Sequence, residues 1–256
     1  MGRAARRGPP IAPYDRGIPP METWSKRLTF VVPCLDEAGE IGATLAALQP
    51  YRRAGHEVIV VDGGSRDGTP EFARPHADRV IGSARGRALQ MNAGAAAASG
   101  DVLLFLHADT RLPPEADRLI LDGLARSGRC WGRFDIRLSG TLPVLRMVEG
   151  LMNLRSRLTG VATGDQAIFV ARETFEAVGR YPEIPLMEDI ALSTSLKGMG
   201  RPLCLRAQAV TSSRRWERDG VWRTILFMWR LRVAYFFGAD PRRLARRYYP
   251  GHAHDA

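Results

Sequence analysis

The sequence predicts an α/β protein, a mostly parallel sheet flanked by helices and extended at its C-terminal end by a basic amphipathic helical segment. Three observations carry this. Short apolar runs recur with helix-length stretches between them, the pattern of a parallel sheet with crossover helices. The runs end in clusters of glycine, acid or arginine, as strands do at the carboxyl edge of such a sheet, where ligands sit. The run Val102-Leu103-Leu104-Phe105-Leu106 contains no polar residue, which fits a strand covered on both faces.

Bulk properties set the frame. A chain of 256 residues can bury a sizeable core as one domain with an extension. Its 45% hydrophobic and 25% charged residues are ordinary for a soluble globular protein. The formal net charge of +10 is not, and implies a polyanionic partner: a nucleotide diphosphate, an anionic membrane surface or nucleic acid. Cys34, Cys130 and Cys204 lie far apart without the paired spacing of a zinc site, and read as buried thiols in a reducing compartment. Residues 1–27, with Arg3, Arg6, Arg7, Arg16, Lys26 and Arg27 among prolines, read as a disordered basic arm. No signal-sequence core or uncharged apolar span is visible, so the expected location is cytoplasmic.

Leu28 to Pro33 reads as the first strand, followed by a turn from Cys34 to Gly39. A helix follows, with Ile41, Leu45 and Leu48 at helical spacing. Val58 to Val61 is the second strand, and it runs into Asp62-Gly63-Gly64-Ser65-Arg66-Asp67-Gly68. Thr69 is the expected N-cap of the next helix, with Pro70 at its first position. Arg79 to Ser83 is a third strand, after which Gly86-Arg87 opens an alanine-rich helix. An arginine beside a helix N-terminus at a sheet edge suits a phosphate. The fourth strand, from Val102, delivers His107 and Asp109 to the same edge.

Beyond it, Leu119, Leu121 and Leu124 mark a helix, and Trp131 to Leu138 alternates in period two, predicting a strand with one wet face. Leu142 to Leu158 reads as an amphipathic helix with Leu145, Val148, Leu151 and Met152 on one side. A glycine-bracketed loop, Gly160 to Gln166, precedes a strand from Ala167 to Val170. Glu188-Asp189 opens a helix through Leu196, where an acid pair also compensates the helix dipole. After Arg214, arginines alternate with Trp222, Leu226, Trp229, Phe236 and Phe237. That segment is too charged to span a bilayer and apt for lying on one.

No G-x-G-x-x-G follows the first strand, and there is no P-loop. Five motifs in order are present instead: Phe30-Val31-Val32-Pro33 with Asp36-Glu37; Val60 to Thr69; Gly86-Arg87 with Gln90-Met91-Asn92; Leu106-His107-Ala108-Asp109; and Glu188-Asp189. Together they resemble the family-2 glycosyltransferases, whose GT-A fold is a Rossmann-like, mostly parallel sheet flanked by helices. The resemblance covers residues 28–215, leaving 216–256 as a basic amphipathic helical extension.

The resemblance implies a nucleoside diphosphate sugar donor, with Pro33, Glu37, Asp62 and Ser65 around base and ribose and Arg87 and Asn92 at the diphosphate. It implies Mg²⁺ or Mn²⁺ held by Asp109, the last acid of the metal motif, with His107 as a second candidate ligand. Asp189 matches the base that takes the acceptor's proton, and Asp165, Gln166, Glu188, Arg215 and Trp216 are the expected contacts to sugar and acceptor. Two departures stand out: the family usually carries asparagine where this chain has Asp36, and an acid where it has His107.

The expected reaction is sugar transfer with inversion to a hydroxyl or carboxylate acceptor. The C-terminal segment favours a lipid acceptor and peripheral contact with the inner face of the cell membrane. A sugar-nucleotide pyrophosphorylase would need a glycine-rich, lysine-containing loop after Val32, which is missing. A non-enzymatic basic protein binding membrane or nucleic acid is the other alternative. Nucleic acid is not the expected partner, since Asp62 and Asp109 would repel phosphates without a metal.

Overall fold

The computed structural model describes residues 27–249. The proposed N-terminal arm therefore lies outside the described residues, except for Arg27, whose Nε donates to the Gly55 carbonyl at 2.9 Å. The strands are β1 (Leu28–Cys34), β2 (Glu57–Asp62), β3 (Arg79–Gly82), β4 (Val102–Phe105), β5 (Thr110–Arg111), β6 (Trp131–Leu138), β7 (Phe169–Ala171) and β8 (Leu203–Thr211). They form one sheet in the order β3-β2-β1-β4-β7-β6-β8-β5. The first four pair in parallel; β1, β2 and β4 are buried on both faces, whereas β3 is a half-exposed edge strand. β7 then pairs antiparallel with β4 and β6, while β8 returns parallel to β6.

Alternate residues of each strand feed two cores. Phe30, Val32, Val60 and Leu104 point to the face covered by α1 (Ala38–Arg53) and α4 (Ala116–Ser127), against Ile41, Leu45, Ile120 and Leu124. Val31, Ile59, Val61 and Phe105 point to the other face, under α3 (Arg87–Ala97) and α7 (Glu188–Lys197), with Met91, Leu192 and Leu196. Each such side chain contributes about 1.5–3 kcal/mol by leaving water. A Cβ on Gly94 would lie 2.3 Å from Val31 Cγ1, so α3 sits as close to β1 as only glycine permits. That approach puts the α3 N-terminus at the carboxyl edge. There Gln90 Nε2 donates to the Cys34 and Val61 carbonyls at 2.7 and 2.8 Å.

Several sequence expectations change here. Helix α2 (Thr69–Ala73) has Gly68, not Thr69, at its N-cap. The Thr69 hydroxyl instead accepts from Glu37 N at 2.9 Å, tying the loop after β2 to the loop after β1. The face of β6 expected to be wet is so only at its end: Arg137 is exposed and Asp135 half-buried, but Arg133 is fully buried, paired with Asp135 and donating to the carbonyls of Phe134 and Asn153. Trp131 and Phe134 are core residues with no exposure. On α5 (Pro143–Thr159), Leu145 and Val148 are buried, but Leu151 turns outward, 57% exposed, in a stripe with Met147, Leu154 and Leu158. Cys34 and Cys130 are buried, whereas Cys204 is only half-buried.

The C-terminal helices are α8 (Arg214–Asp219), α9 (Val221–Phe236) and α10 (Pro241–Tyr248). One face of α9 packs inward through Val221, Thr224 and Leu231; the other presents Trp222, Leu226, Trp229, Val233 and Phe236 to solvent. Leu231, Leu244 and Ala245 pack on Leu186 and Met187, in the segment just before α7. No described helix is long and apolar enough to cross a membrane.

Candidate active site

A cavity of about 860 Å³ opens where the carboxyl edge of the sheet meets the N-termini of α3 and α7 and the three C-terminal helices. Of the residues singled out from sequence, Pro33, Glu37, Arg87, His107, Asp109, Asp165, Glu188, Asp189, Arg215 and Trp216 line it. Asp62, Ser65, Asn92 and Gln166 do not. Their hydrogen bonds explain why.

Asp62 accepts from Gly64 N, Ser65 N and Ser65 Oγ, so both carboxylate oxygens close the loop that follows β2. Asn92 clamps the Tyr181 backbone in both directions, at 2.9 and 3.0 Å. Gln166 is fully buried and completes a capping box with Thr163 around the turn Gly164–Gln166. Asp36, at a φ of 53°, accepts from Arg66 N at 2.8 Å, so its extra charge is spent on the neighbouring loop. Asparagine and aspartate are the residues that tolerate that backbone conformation best after glycine.

The acids of the cavity fall into two classes. Glu188 begins α7 but is only 5% exposed, and burial together with the adjacent Asp189 pushes its carboxyl up to about 7. Dipole compensation alone would leave it at the surface with a lowered value. Burial likewise raises Asp189, although its Oδ2 accepts from Gly164 N at 3.0 Å and its Oδ1 from Ile190 N at 2.7 Å. A carboxylate has about four lone-pair positions, so Asp189 still has room for a substrate hydroxyl. Met187, immediately before the pair, has φ 70°, a left-handed conformation that costs on the order of 1–3 kcal/mol in a non-glycine residue. Its packing under α9 and α10 holds it there and sets the entry of α7.

Asp165 behaves oppositely. Burial works to raise it, but the contact of His107 Nδ1 with its Oδ1 at 3.3 Å, together with Arg87 and Arg215, outweighs that. Arg87 lies inside the cavity among Tyr249, Glu188, Asp165 and Asp189, which hold its guanidinium firmly charged. The site thus sets a carboxylate lowered by its neighbours beside an acid pair raised by burial.

No group of three or more His, Cys, Asp or Glu side chains able to hold a metal occurs among the described residues. The His107 ring, the second ligand expected from sequence, faces Asp165 through Nδ1 at 3.3 Å and passes so near Gly164 that a Cβ there would lie 2.5 Å from its Nε2. Asp109 remains, on the cavity wall, with Oδ2 at 3.8 Å from Arg214 Nη2. A single carboxylate fits Mg²⁺ or Mn²⁺ only when a diphosphate completes the shell, which is how such hard cations are commonly held. Arg214 also reaches Glu37 at 3.8 Å and Glu40 at 3.2 Å, and so answers three acids that would otherwise repel one another.

Arg214, with Arg215 and Trp216, resembles the family's Arg-Trp motif beside the acceptor, whereas Arg232, Arg242, Arg246 and Tyr248 carry no role in the sequence reading. All but Arg214 line the cavity. Arg215 stacks over the Tyr248 ring at 4.1 Å. Their only local signal is an excess of arginine, which by itself reads equally well as solvated surface.

The description "Glycosyl transferase family 2" fits residues 29–171. The chain is 24% identical over 219 residues to poly-beta-1,6-N-acetyl-D-glucosamine synthase of Staphylococcus epidermidis, covering 76% of this chain and 53% of that protein. It thus spans about half the length of the curated relatives it matches. Among solved structures it is similar to the mannosyltransferase PcManGT of Pyrobaculum calidifontis, in complex with GDP-Man and Mn²⁺. That similarity has a TM-score of 0.60 and 22% identity, over 86% of this chain and 64% of that one. S. aureus TarS 1-349 with UDP superposes with a TM-score of 0.58 and 17% identity, over 73% of this chain and 60% of that one. These likenesses show the shared GT-A architecture.

Proposed function

Because the chain belongs to glycosyl transferase family 2, we propose that it moves a sugar from a nucleoside diphosphate donor to a hydroxyl or carboxylate acceptor with inversion. The observation that carries this is the convergence of Asp189, Glu188, Asp165 and Arg87 on one cavity at the carboxyl edge of the sheet. Pro33 and Glu37 face the donor's base end, and Arg87 with the α3 N-terminus receives the diphosphate. Asp189 takes the proton of an acceptor hydroxyl, while Asp165, ionised and oriented by His107, contacts the sugar. Trp216 and Arg215 border the acceptor. Asp109 would hold Mg²⁺ or Mn²⁺ together with the donor's phosphates, where such an ion neutralises the leaving diphosphate.

A thermal-shift panel of UDP and GDP, with and without Mn²⁺, tests the donor. A nucleotide at a hundred times its dissociation constant stabilises the protein by about 2.7 kcal/mol. Asp109→Asn is expected to lose the Mn²⁺-dependent part of that shift while keeping its circular dichroism. An unchanged metal response in this variant removes Asp109 from the role.

Peripheral membrane contact is part of the same proposal. Trp222 and Trp229, 65% and 66% exposed, stand on the outer face of α9 among the exposed Arg223 and Arg230. Each arginine near an anionic surface adds about 1 kcal/mol, a contribution that salt screens, whereas the aromatic contribution persists. Wild-type protein should sediment with anionic vesicles at low salt and partly dissociate at high salt. Trp222→Ser with Trp229→Ser should abolish the salt-resistant fraction; equal sedimentation of both proteins places the contact elsewhere.

A further inference from the structure

Three arginines on the helices that close the cavity have no carboxylate to answer them among the described residues. Arg232 on α9 and Arg242 and Arg246 on α10 line it, and no ion pair joins any of them to an acid among the described residues. Arg232 Nε is buried without a hydrogen-bond partner. Arg242 and Arg246 are four residues apart on α10 and share a face. The helix that carries them is seated, not loose, since Leu244 and Ala245 are buried against Leu186, Met187 and Leu231. Nearby arginines differ: Arg214 answers Glu37, Glu40 and Asp109, and Arg218 answers Asp219.

Three guanidiniums thus line one cavity, Arg242 and Arg246 exposed to incoming ligand and Arg232 half-buried, and their planar forks match phosphate oxygens. The donor does not account for them. On the reading above, its diphosphate is already met by Arg87, the α3 N-terminus and a divalent ion at Asp109. Three more cations exceed its charge, whereas a phosphomonoester brings a further 1.5 to 2 negative charges, approximately. We propose that Arg232, Arg242 and Arg246 form an anion site for a phosphate group carried by the acceptor. This rests on the transferase reading and names the acceptor's chemistry within it. The phosphate belongs either to a lipid phosphate, delivered beside the apolar face of α9, or to a soluble phosphorylated acceptor.

The test is calorimetric titration of inorganic phosphate, and separately of monomeric dodecyl phosphate, into protein with and without saturating nucleotide and Mg²⁺. Phosphate is expected to bind the nucleotide-loaded wild type. Arg242→Gln with Arg246→Gln should weaken it by about tenfold or more, with nucleotide affinity held within about twofold. Arg232→Lys, which keeps the charge and loses the fork, should fall between. Dodecyl phosphate binding more tightly than inorganic phosphate identifies a lipid acceptor; equal affinities identify a soluble one. The proposal is overturned if phosphate fails to bind the loaded wild type, or binds the double variant equally. It is also overturned if nucleotide affinity falls together with phosphate affinity, which would return the arginines to the donor. If the wild type binds no nucleotide, the donor reading fails. The titration of nucleotide-free protein then still decides the anion site.

Discussion

Asp189→Asn is expected to lower turnover by roughly two to four orders of magnitude, the usual worth of a general base, while nucleotide binding persists. Asparagine keeps the shape of the side chain and can still accept from Gly164 N, so the loop that bears Asp165 should stay in place. What is lost is the ability to take a proton. The pH profile gives an independent readout. A carboxyl raised by burial is protonated, and inactive as a base, on the acid side of its shifted value. kcat/KM in the wild type should therefore fall as the pH drops through the range of the Glu188–Asp189 pair, where Glu188 reaches about 7. Turnover of Asp189→Asn within tenfold of wild type, approximately, would transfer the role to Asp165.

The second large effect is on stability and lies outside the cavity. Asp135 joins the fully buried Arg133 to Arg157, whose Nη2 stands 2.5 Å from Asp135 Oδ2. Asp135→Ala leaves the Arg133 charge buried with only carbonyls for partners, which is expected to cost about 3–5 kcal/mol. Arg157→Met, at the more exposed end of the same cluster, should cost less than about 1 kcal/mol. Replacing Arg133 and Asp135 together with Met and Leu should recover most of the loss, because the uncompensated charge is gone. Urea unfolding of the four proteins measures this. If Asp135→Ala and Arg157→Met have equal midpoints, the buried pair does not hold β6.

Phe30-Val31-Val32 and Val102 to Phe105 were legible as strands because a strand covered on both faces must be apolar at every position, and no other short element has that requirement. The alternation of strands with helix-length stretches likewise makes the parallel pairing of β1 to β4, the carboxyl-edge position of Asp109 and the α3 N-terminus at Arg87 legible in the chain itself. The motif order that marks the family is equally a property of sequence.

The tertiary structure alone separated Asp62 from Asp109. Both are acids at strand ends, but the loop after β2 folds its own amides onto Asp62 and leaves Asp109 facing the cavity. It also buried Arg133 in a strand whose alternation reads as half wet, since α5 covers that position and Asp135 pairs with it, while Arg137 farther along the same face stays exposed. It turned Arg232, Arg242 and Arg246 toward the site through the packing of Leu231 and Leu244 on Met187. The physical reason is common to all three. Periodicity along the chain reports whether a side chain has a neighbour, whereas which neighbour it has depends on contacts between residues tens to hundreds of positions apart, which only the folded chain brings together.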